Sequence, residues 1–398
     1  MKKIIDLNGV RGSFIKLSSK TEQERNLFLS CLTLELVNNR KKILTANEKD
    51  VKNAYKNNLS EVFIQRLKLD SEGFNSIVEK VKQVQSLESG IGEIMEKKTN
   101  DSGLILHKVR VPIGTILIVY ESRPEVTIDV ACLCIKSGNT ALLKGGSEAL
   151  NTNIALYVCI QQALSRSSLP LQSISFIQSK NRTIIKTLLK QNNYIDLVIA
   201  RGGYKMVKYI QSHSTIPVLA HSSGGARIYI DKSADLSIVE KIIINAKVSK
   251  PAACNSLDTI VIHTDIKDKI LNTIQKSFEK NNVKIIDDEW DEEFLSMRVS
   301  IKIVNSLNEA IRFINAHSKK HSEGIIAQDK TIIRQFCQSI DAAVIFVNSS
   351  TRLNDGYIFG LGSEMGIATG KLHARGPVGL KVLSIYKWII YGQGHIRE

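Results

Sequence analysis

Cys254 lies in the segment KVSKPAACNSLDTIVIH (247–263), whose residue types favour covalent chemistry. The segment predicts a loop between a helix that ends near Lys247 and a strand that begins at Asp258, so the thiol lies outside any apolar element. A cysteine thiolate is a strong nucleophile, and Lys247 and Lys250 nearby favour the ionised form. A buried, inert thiol is the alternative that these residues alone leave open. The other cysteines are Cys31, Cys132, Cys134, Cys159 and Cys337. Their spacing matches no disulfide framework and no zinc site, so no metal is expected.

Two strand-to-helix junctions carry residues that suit phosphate binding. In ALLKGGSEAL (141–150) a predicted strand ends at Lys144 and a helix begins near Ser147, so a cation and free backbone N–H groups converge. The residues of this junction are Lys144, Gly145, Gly146 and Ser147. The second junction, in DLVIARGGYKMV, consists of Arg201, Gly202 and Gly203. Neither matches G-x-G-x-x-G or a Walker loop, and an ordinary glycine turn is the alternative at each. Two such junctions in one α/β region favour a nucleotide.

A third group of cations lies in GSEMGIATGKLHARGPVG (362–379). Lys371, His373 and Arg375 alternate, so an extended backbone places all three on one side. Three cations suit a phosphate or a carboxylate. A solvated basic loop is the alternative with similar weight.

The order of apolar segments predicts an α/β fold. The first hundred or so residues are mainly helical, with a capping box at Thr21 and Glu24 and another helix beginning at Ser60 and Glu61. Strands are predicted at 140–144, 174–178, 196–200, 226–231, 258–263 and 342–347. Helices are predicted between them at 148–165, 181–191, 237–247 and 308–317. This alternation indicates largely parallel sheets covered by helices. The closing strand-like tail has no following helix, so it pairs with the early β segment or across a subunit interface.

Composition is that of an ordinary soluble protein. The chain has 398 residues, 43% hydrophobic and 23% charged. Its N-terminal segment lacks the apolar core of a signal peptide, and no apolar run is long enough for a membrane helix, so a cytoplasmic protein is expected. The net charge of +15 is spread along helix-like stretches with interleaved acidic residues. This pattern indicates solvated faces that attract anionic small molecules rather than a nucleic-acid partner.

Several long segments resemble the gamma-glutamyl phosphate reductases, a family within the aldehyde dehydrogenase superfamily. They are YESRPEVTIDVACLCIKSGNTALLKGGSEA (120–149), KPAACNSLDT (250–259), STRLNDGYIFGLGSEMGIAT (350–369), KLHARGPVGL (371–380) and YKWIIYGQGHIRE (386–398). The resemblance implies NADPH-dependent reduction of L-glutamyl 5-phosphate to L-glutamate 5-semialdehyde, with release of phosphate, in proline biosynthesis. Cys254 matches the family's catalytic cysteine and would form a thioester, with its backbone N–H and the Asn255 region as oxyanion donors.

The resemblance also implies roles for the other candidates. Lys144, Gly145, Gly146 and Ser147 would meet the adenosine ribose and phosphates of NADPH, and Arg201, Gly202 and Gly203 would lie near its pyrophosphate. Glu293 would hold the nicotinamide ribose. The candidates for the anionic ends of the substrate are Arg123, Lys371, His373 and Arg375. A homo-oligomer is expected, and glutamate 5-kinase is the possible partner that supplies the acyl phosphate.

The implied fold is aldehyde dehydrogenase-like, with three parts. An NADP-binding, Rossmann-like domain would comprise 1–104 and 118–232, with a return of the chain near 366–383. The α/β catalytic domain would comprise 233–365, and a small β oligomerisation flap 105–117 and 384–398.

Departures from the family pattern leave two other functions open. Ala226 and Arg227 stand where the family commonly has Cys-His, which favours a degenerate, non-catalytic paralogue as one alternative. Another acyl reductase of the superfamily is the second. The residues before Gly224 and Gly225 include no carboxylate, whereas hydrolytic aldehyde dehydrogenases carry a glutamate there that activates water. Its absence favours a thioester that survives until hydride or phosphate reaches it.

Overall fold

The computed structural model describes residues 5–121, 123–179, 181, 183–221 and 224–397. They form two compact units. The first comprises Met1–Ala220, Gly360–Met365 and Val378–Glu398, and the second comprises His221–Phe359 and Gly366–Pro377. In the part of the chain described, no helix is long and apolar enough to span a membrane.

The first unit begins with five helices. They are α1 (Leu7–Ser18), α2 (Glu22–Asn38), α3 (Arg40–Lys56), α4 (Glu61–Leu67) and α5 (Ser71–Ser86). The predicted capping box is confirmed: the Thr21 side chain accepts from the Glu24 N–H, and the Glu24 carboxylate accepts from the Thr21 N–H at 2.7 Å. These contacts satisfy N–H groups that the start of a helix leaves unpaired.

Strands and helices then alternate as the sequence predicts. The elements are β1 (Ile94–Thr99), β2 (Ile105–Pro112), β3 (Thr115–Tyr120), α6 (Glu125–Lys136), β4 (Thr140–Lys144), α7 (Leu150–Arg166), β5 (Ile174–Phe176), α8 (Thr183–Leu188), β6 (Leu197–Arg201), α9 (Tyr204–His213) and β7 (Val218–His221). The helix predicted from Glu148 begins instead as a 3₁₀ turn at Ser147–Ala149 that leads into α7.

The main sheet of the first unit has the strand order β5-β4-β3-β6-β7. β3 pairs in parallel with both β4 and β6, and every residue of β3 and β4 is buried. The chain therefore proceeds outward on one side of β3 and then returns to the other side. This creates a topological switch point between β3 and β6, and crevices at the carboxyl ends of such strands are where α/β sheets bind nucleotides.

The second unit contains a six-stranded sheet in the order β10-β11-β9-β8-β12-β13. Its elements are β8 (Ala226–Ile230), α10 (Leu236–Val248), β9 (Leu257–His263), α11 (Lys267–Lys280), β10 (Lys284–Ile286), β11 (Arg298–Val304), α12 (Leu307–His317), β12 (Ser322–Ile326), α13 (Lys330–Ser339), β13 (Val344–Val347), β14 (Ile367–Ala368) and β15 (Gly376–Pro377). All pairs in the six-stranded sheet are parallel. The central strands β8 and β9 are completely buried, which agrees with sequences that are largely apolar apart from Arg227 in β8 and polar residues such as Asp258 in β9.

The last strand, β16 (Ser384–Tyr391), belongs to a separate small sheet in the order β1-β2-β16. β16 pairs antiparallel with β2, one of the two pairings that the sequence left open. The sequence did not predict β1, whose polar and charged residues are mostly exposed. Both sequence periodicity and burial are weak signals for such a strand.

The two units differ from the domain ranges predicted from sequence. The predicted cofactor domain extends to 232, whereas β8 hydrogen-bonds to β9 and β12 and so lies in the second unit. The chain returns to the first unit at Gly360–Met365 and again at Val378, whereas 366–377, in which β14 and β15 pair with each other, lies in the second unit, so only part of the predicted return at 366–383 lies in the first. Each boundary depends on pairing between distant segments.

Candidate active site

Cys254 lies in a tight loop of the second unit at the amino-terminal end of β9. Pro251 follows α10 closely, where a proline cannot continue a helix. The N–H of Ala253 donates to the Lys250 carbonyl at 3.0 Å, and the N–H of Ser256 donates to the Ala253 carbonyl at 3.0 Å. These successive turns hold Cys254 half-buried between a helix and a strand.

The fully buried cysteines differ from the half-buried Cys254, because burial suppresses ionisation of their thiols. Burial raises the pKa of Cys159 to about 11 and raises the pKa values of Cys132 and Cys134 further, since an apolar surrounding disfavours the thiolate. These three thiols are therefore protonated near neutral pH. Half-burial leaves Cys254 within reach of a reactant.

A pair of glycines packs directly against the Cys254 backbone. The N–H of Gly225 donates to the Cys254 carbonyl at 2.6 Å. A Cβ added to Gly224 would lie 2.5 Å from the Cys254 Cβ and 2.6 Å from its Cα, and Gly225 has φ +109. Only glycine permits such close approach and such a backbone conformation. No role for this pair was predicted from the sequence, although two glycines before a buried strand are a signal of close backbone approach.

We expect Gly224→Ala to lower kcat/KM by about 10²-fold, since the added methyl group must displace the Cys254 loop and small misplacements of reacting groups have costs of this size. Steady-state kinetics would measure the loss. Gly370→Ala is the matched control, because a Cβ there meets nothing within 4 Å. Equal activity of the two variants would show that the close packing of Gly224 on Cys254 has no effect on activity.

Asn255 is held by a 3₁₀ turn at Thr351–Leu353. Its Nδ2 donates to the carbonyls of Asn354 at 2.9 Å and Arg352 at 3.5 Å, and its Oδ1 accepts from the Arg352 guanidinium. The buried Thr351 hydroxyl donates to the Asn255 carbonyl at 2.8 Å. The Asn255 side-chain amide is thus engaged with protein groups in this structure, an arrangement that favours a positioning role over that of an oxyanion donor.

Four charged side chains are buried behind the Cys254 loop. Lys247 Nζ lies 3.5 Å from Asp258 Oδ1, and Arg227 Nη1 lies 3.6 Å from Glu323 Oε1. Exposure is 0% for Lys247, Arg227 and Glu323 and 2% for Asp258. Arg227 also donates from its backbone N–H to Glu323 Oε2 at 2.9 Å and from Nη2 to the Trp290 carbonyl at 3.0 Å. The Lys247 charge, predicted to favour the thiolate, is therefore directed at Asp258.

Burial dominates the titration of the two carboxyl groups in this cluster. It raises the pKa of Asp258 to about 6 and that of Glu323 to about 7, although Lys247 and Arg227 act in the opposite direction. Burial of these charged groups therefore costs desolvation free energy, and the two ion pairs offset only part of that cost.

The predicted anion site at Lys371 and Arg375 is occupied by a carboxylate of the chain itself. Asp341 accepts from Arg375 Nη1 at 2.7 Å and pairs with Lys371 and Lys320 at 2.9 Å each. Hydrogen bonds from Lys371 and then Lys320 hold the pKa of Asp341 well below its usual range. His373 lies in the same loop. These contacts fasten the β14–β15 segment to the second unit, so two of the three predicted substrate cations have a structural partner.

In the first unit, the Lys144 junction lies at the carboxyl end of β4. Lys144 is 8% exposed, and its Nζ donates to the Gly145 carbonyl at 2.8 Å. A Cβ on Gly145 would lie 2.5 Å from Asn153 Nδ2, a fully buried atom with no hydrogen-bond partner among the described residues. Gly146 is extended and leads into the turn at Ser147. A buried cation and a close-packed glycine turn at the carboxyl edge of the sheet fit a phosphate-bearing cofactor.

The Arg201 junction differs from its prediction in one respect. The Gly203 N–H, at the start of α9, donates to Glu121 Oε2 at 2.9 Å. A Cβ on Gly202 would lie 2.6 Å from Glu121 Cδ, so the carboxylate lies directly against the glycines. Glu121 therefore already satisfies a helix N-terminus at the β3–β6 switch point, and a phosphate there would have to displace it.

The remaining candidates, Arg123 and Glu293, are half-buried. Arg123 lies shortly after the end of β3, and its N–H donates to the Glu121 carbonyl at 2.6 Å. Glu293, in the second unit, precedes Phe294, whose N–H donates to the buried Asp258 at 3.4 Å. Within the second unit the structure brings Cys254 and Asn255 together with the glycine pair and Arg352. Neither the glycine pair nor Arg352 was predicted from the sequence to have a role.

Comparison with known proteins agrees with this geometry. Residues 35–294 match the model of the aldehyde dehydrogenase family. Gamma-glutamyl phosphate reductase of Carboxydothermus hydrogenoformans is 39% identical over 398 residues, which cover 96% of this chain and 96% of that protein. The crystal structure of gamma-glutamyl phosphate reductase from Thermotoga maritima has a TM-score of 0.95 at 36% identity and covers 98% of this chain and 99% of that one. An engineered glycolyl-CoA reductase with bound NADP+, at 12% identity and a TM-score of 0.73 over 97% of this chain and 95% of that one, shares the fold.

Parallel sheets, a loop cysteine and these matches define an oxidoreductase of the aldehyde dehydrogenase family, to which the chain belongs. Enzymes of this family use NAD(P). Within it, the chain belongs to the gamma-glutamyl phosphate reductases, the glutamate-5-semialdehyde dehydrogenases of proline biosynthesis.

Proposed function

We propose that this chain reduces L-glutamyl 5-phosphate to L-glutamate 5-semialdehyde with NADPH, through a thioester on Cys254. The observation that carries the proposal is the half-buried Cys254 loop packed on Gly224 and Gly225, in a chain that belongs to the gamma-glutamyl phosphate reductases.

The Cys254 thiolate attacks the acyl carbon, the bond from this carbon to the phosphate oxygen breaks, and phosphate leaves with its electron pair. Hydride addition to the thioester carbonyl then gives a tetrahedral species, from which the thiolate is expelled and the aldehyde released. The Cys254 backbone N–H is proposed to meet the developing oxyanion, while Asn255 holds the loop through its contacts to 352 and 354.

NADPH, when bound, supplies the hydride. Lys144, Gly145, Gly146 and Ser147 are proposed to hold its adenosine ribose and phosphates, because a buried cation and a glycine turn lie at the carboxyl edge of the sheet. Arg201, Gly202 and Gly203 are proposed near the pyrophosphate, a role that requires Glu121 to leave the Gly203 N–H. Glu293 is proposed to bind the nicotinamide ribose.

Substrate anions are proposed to meet Arg123 and His373. Lys371 and Arg375 contribute mainly by fastening their loop to Asp341. The kinase that makes the acyl phosphate, glutamate 5-kinase, is the proposed supplier, because an acyl phosphate is short-lived in water.

The small sheet β1-β2-β16 is proposed as the oligomerisation surface. Its last strand exposes large apolar side chains, including Trp388 at 41%, Ile390 at 56% and Tyr391 at 52%. Contiguous exposed apolar groups of this kind mark interaction surfaces.

A degenerate paralogue is the weaker alternative. Arg227, the departure that favours it, is fully buried and matched by Glu323 and the Trp290 carbonyl. Arg227 Nε and Nη1 have no hydrogen-bond partner among the described residues, yet a buried cation that keeps an ion pair is better explained by a maintained fold than by decay.

The reaction in reverse provides the test, because the forward substrate is unstable. Purified protein with glutamate semialdehyde, phosphate and NADP is expected to reduce the nicotinamide, measured by absorbance, only when phosphate is present. Reduction without phosphate would contradict the phosphorylating reaction and support a hydrolytic one. A correctly folded protein that reduces neither NADP nor NAD would support the degenerate paralogue.

A further inference from the structure

The 3₁₀ turn at Thr351–Leu353 hydrogen-bonds to the Cys254 loop on both sides of the cysteine. Arg352 Nε donates to the Ser249 hydroxyl at 3.3 Å, and Arg352 Nη1 donates to Asn255 Oδ1. The turn is itself anchored by the buried Thr351 hydroxyl, which donates to the Asn255 carbonyl at 2.8 Å. A single guanidinium thus bridges the residues that begin and end the loop.

The Arg352 guanidinium also interacts electrostatically with Cys254. Burial lowers the pKa of Arg352, whereas the negative charges of Cys254 and Asp355 act to raise it. Electrostatic attraction is reciprocal, so a guanidinium stabilised by the thiolate stabilises the thiolate equally. The lysine that the sequence placed in this role, Lys247, is paired with Asp258 instead.

We propose that Arg352 is the residue that supplies fixed positive charge to the Cys254 thiolate while it orients the loop through Ser249 and Asn255. It is a positioning residue for the nucleophile. The inference rests on the proposed function in taking Cys254 as the nucleophile, but it concerns a property of the protein without substrate.

The planar fork of arginine suits this task. It makes directed hydrogen bonds to two loop residues and keeps its charge at any relevant pH. A lysine at this position would keep the charge but would lose the simultaneous contacts.

The test compares Arg352→Gln and Arg352→Lys with the wild-type chain in alkylation of Cys254 by iodoacetamide. The rate is followed by mass spectrometry of the Cys254 peptide across a pH series. Glutamine keeps a donor for Asn255 but removes the charge, so its rate at pH 7 is expected to fall about tenfold, the effect of shifting a titration by about one pH unit. Lysine is expected to recover a large part of the rate.

Arg334→Gln is the matched control, because Arg334 is exposed on α13 of the same unit and is expected to leave the alkylation profile unchanged. An Arg352→Gln rate within twofold of wild type would overturn the proposal, as would equal losses in the glutamine and lysine variants. Alkylation needs neither substrate nor cofactor, so its outcome is separate from that of the phosphate-dependent assay.

Discussion

Replacement of Cys254 by alanine is expected to abolish turnover, with a fall in kcat of about 10⁴-fold or more, because it removes the proposed nucleophile of the thioester. NADPH binding, measured by the change in nicotinamide fluorescence, is expected to persist. The thiol is half-buried in its loop, so loss of one sulfur atom leaves the surrounding hydrogen bonds of Ala253, Ser256 and Gly225 in place.

Cys31→Ala is the control for this experiment, since Cys31 is also half-buried but lies on α2, in the first unit. That variant is expected to keep wild-type activity. Near-normal turnover in Cys254→Ala would eliminate the covalent mechanism.

Replacement of Arg227 by methionine is expected to lower the free energy of unfolding by about 3–5 kcal/mol, because it leaves Glu323 buried without its partner. Glu323 is 0% exposed and takes hydrogen bonds from the Arg227 N–H and the Ser318 hydroxyl, so it cannot turn to water. Urea denaturation would measure the change. Loss of this magnitude is large for a single substitution.

The double variant Arg227→Met, Glu323→Met separates pairing from packing. Replacing both members of a buried ion pair by apolar groups is often neutral, so the double variant is expected to recover most of the stability. Arg334→Met, on the exposed side of α13, is expected to change stability by less than about 0.5 kcal/mol. An Arg227→Met protein as stable as wild type would show that the buried guanidinium contributes nothing to the free energy of unfolding.

Local features of the chain were well predicted because neighbouring residues cause them. The capping box at Thr21 requires only residues 21–24, and the strand at 140–144 is an apolar run that a parallel sheet buries on both faces. The loop around Cys254 was predictable for the same reason. Pro251 prevents the preceding helix from continuing, and the largely apolar run from Leu257 begins the following strand.

The anion candidates were less predictable because their partners are distant in sequence. Lys371 and Arg375 alternate as predicted, yet both contact Asp341, which belongs to another segment. The Arg201 junction has the expected glycines, but Glu121 from the end of β3 caps it. Charge alone cannot show whether a cation faces a ligand or a carboxylate of the same chain.

The sequence by itself determined the α/β class, the order of most strands along the chain, the family and the loop position of Cys254, since periodicity and motifs are properties of contiguous residues. Only the tertiary structure decided which distant groups surround that cysteine. Gly224 packs on Cys254 because β8 and β9 are neighbours in the sheet, and Arg352 reaches Asn255 because a turn far along the chain returns to the same loop. Such pairings follow from the burial of whole sheets and helices, a collective effect that no local segment contains.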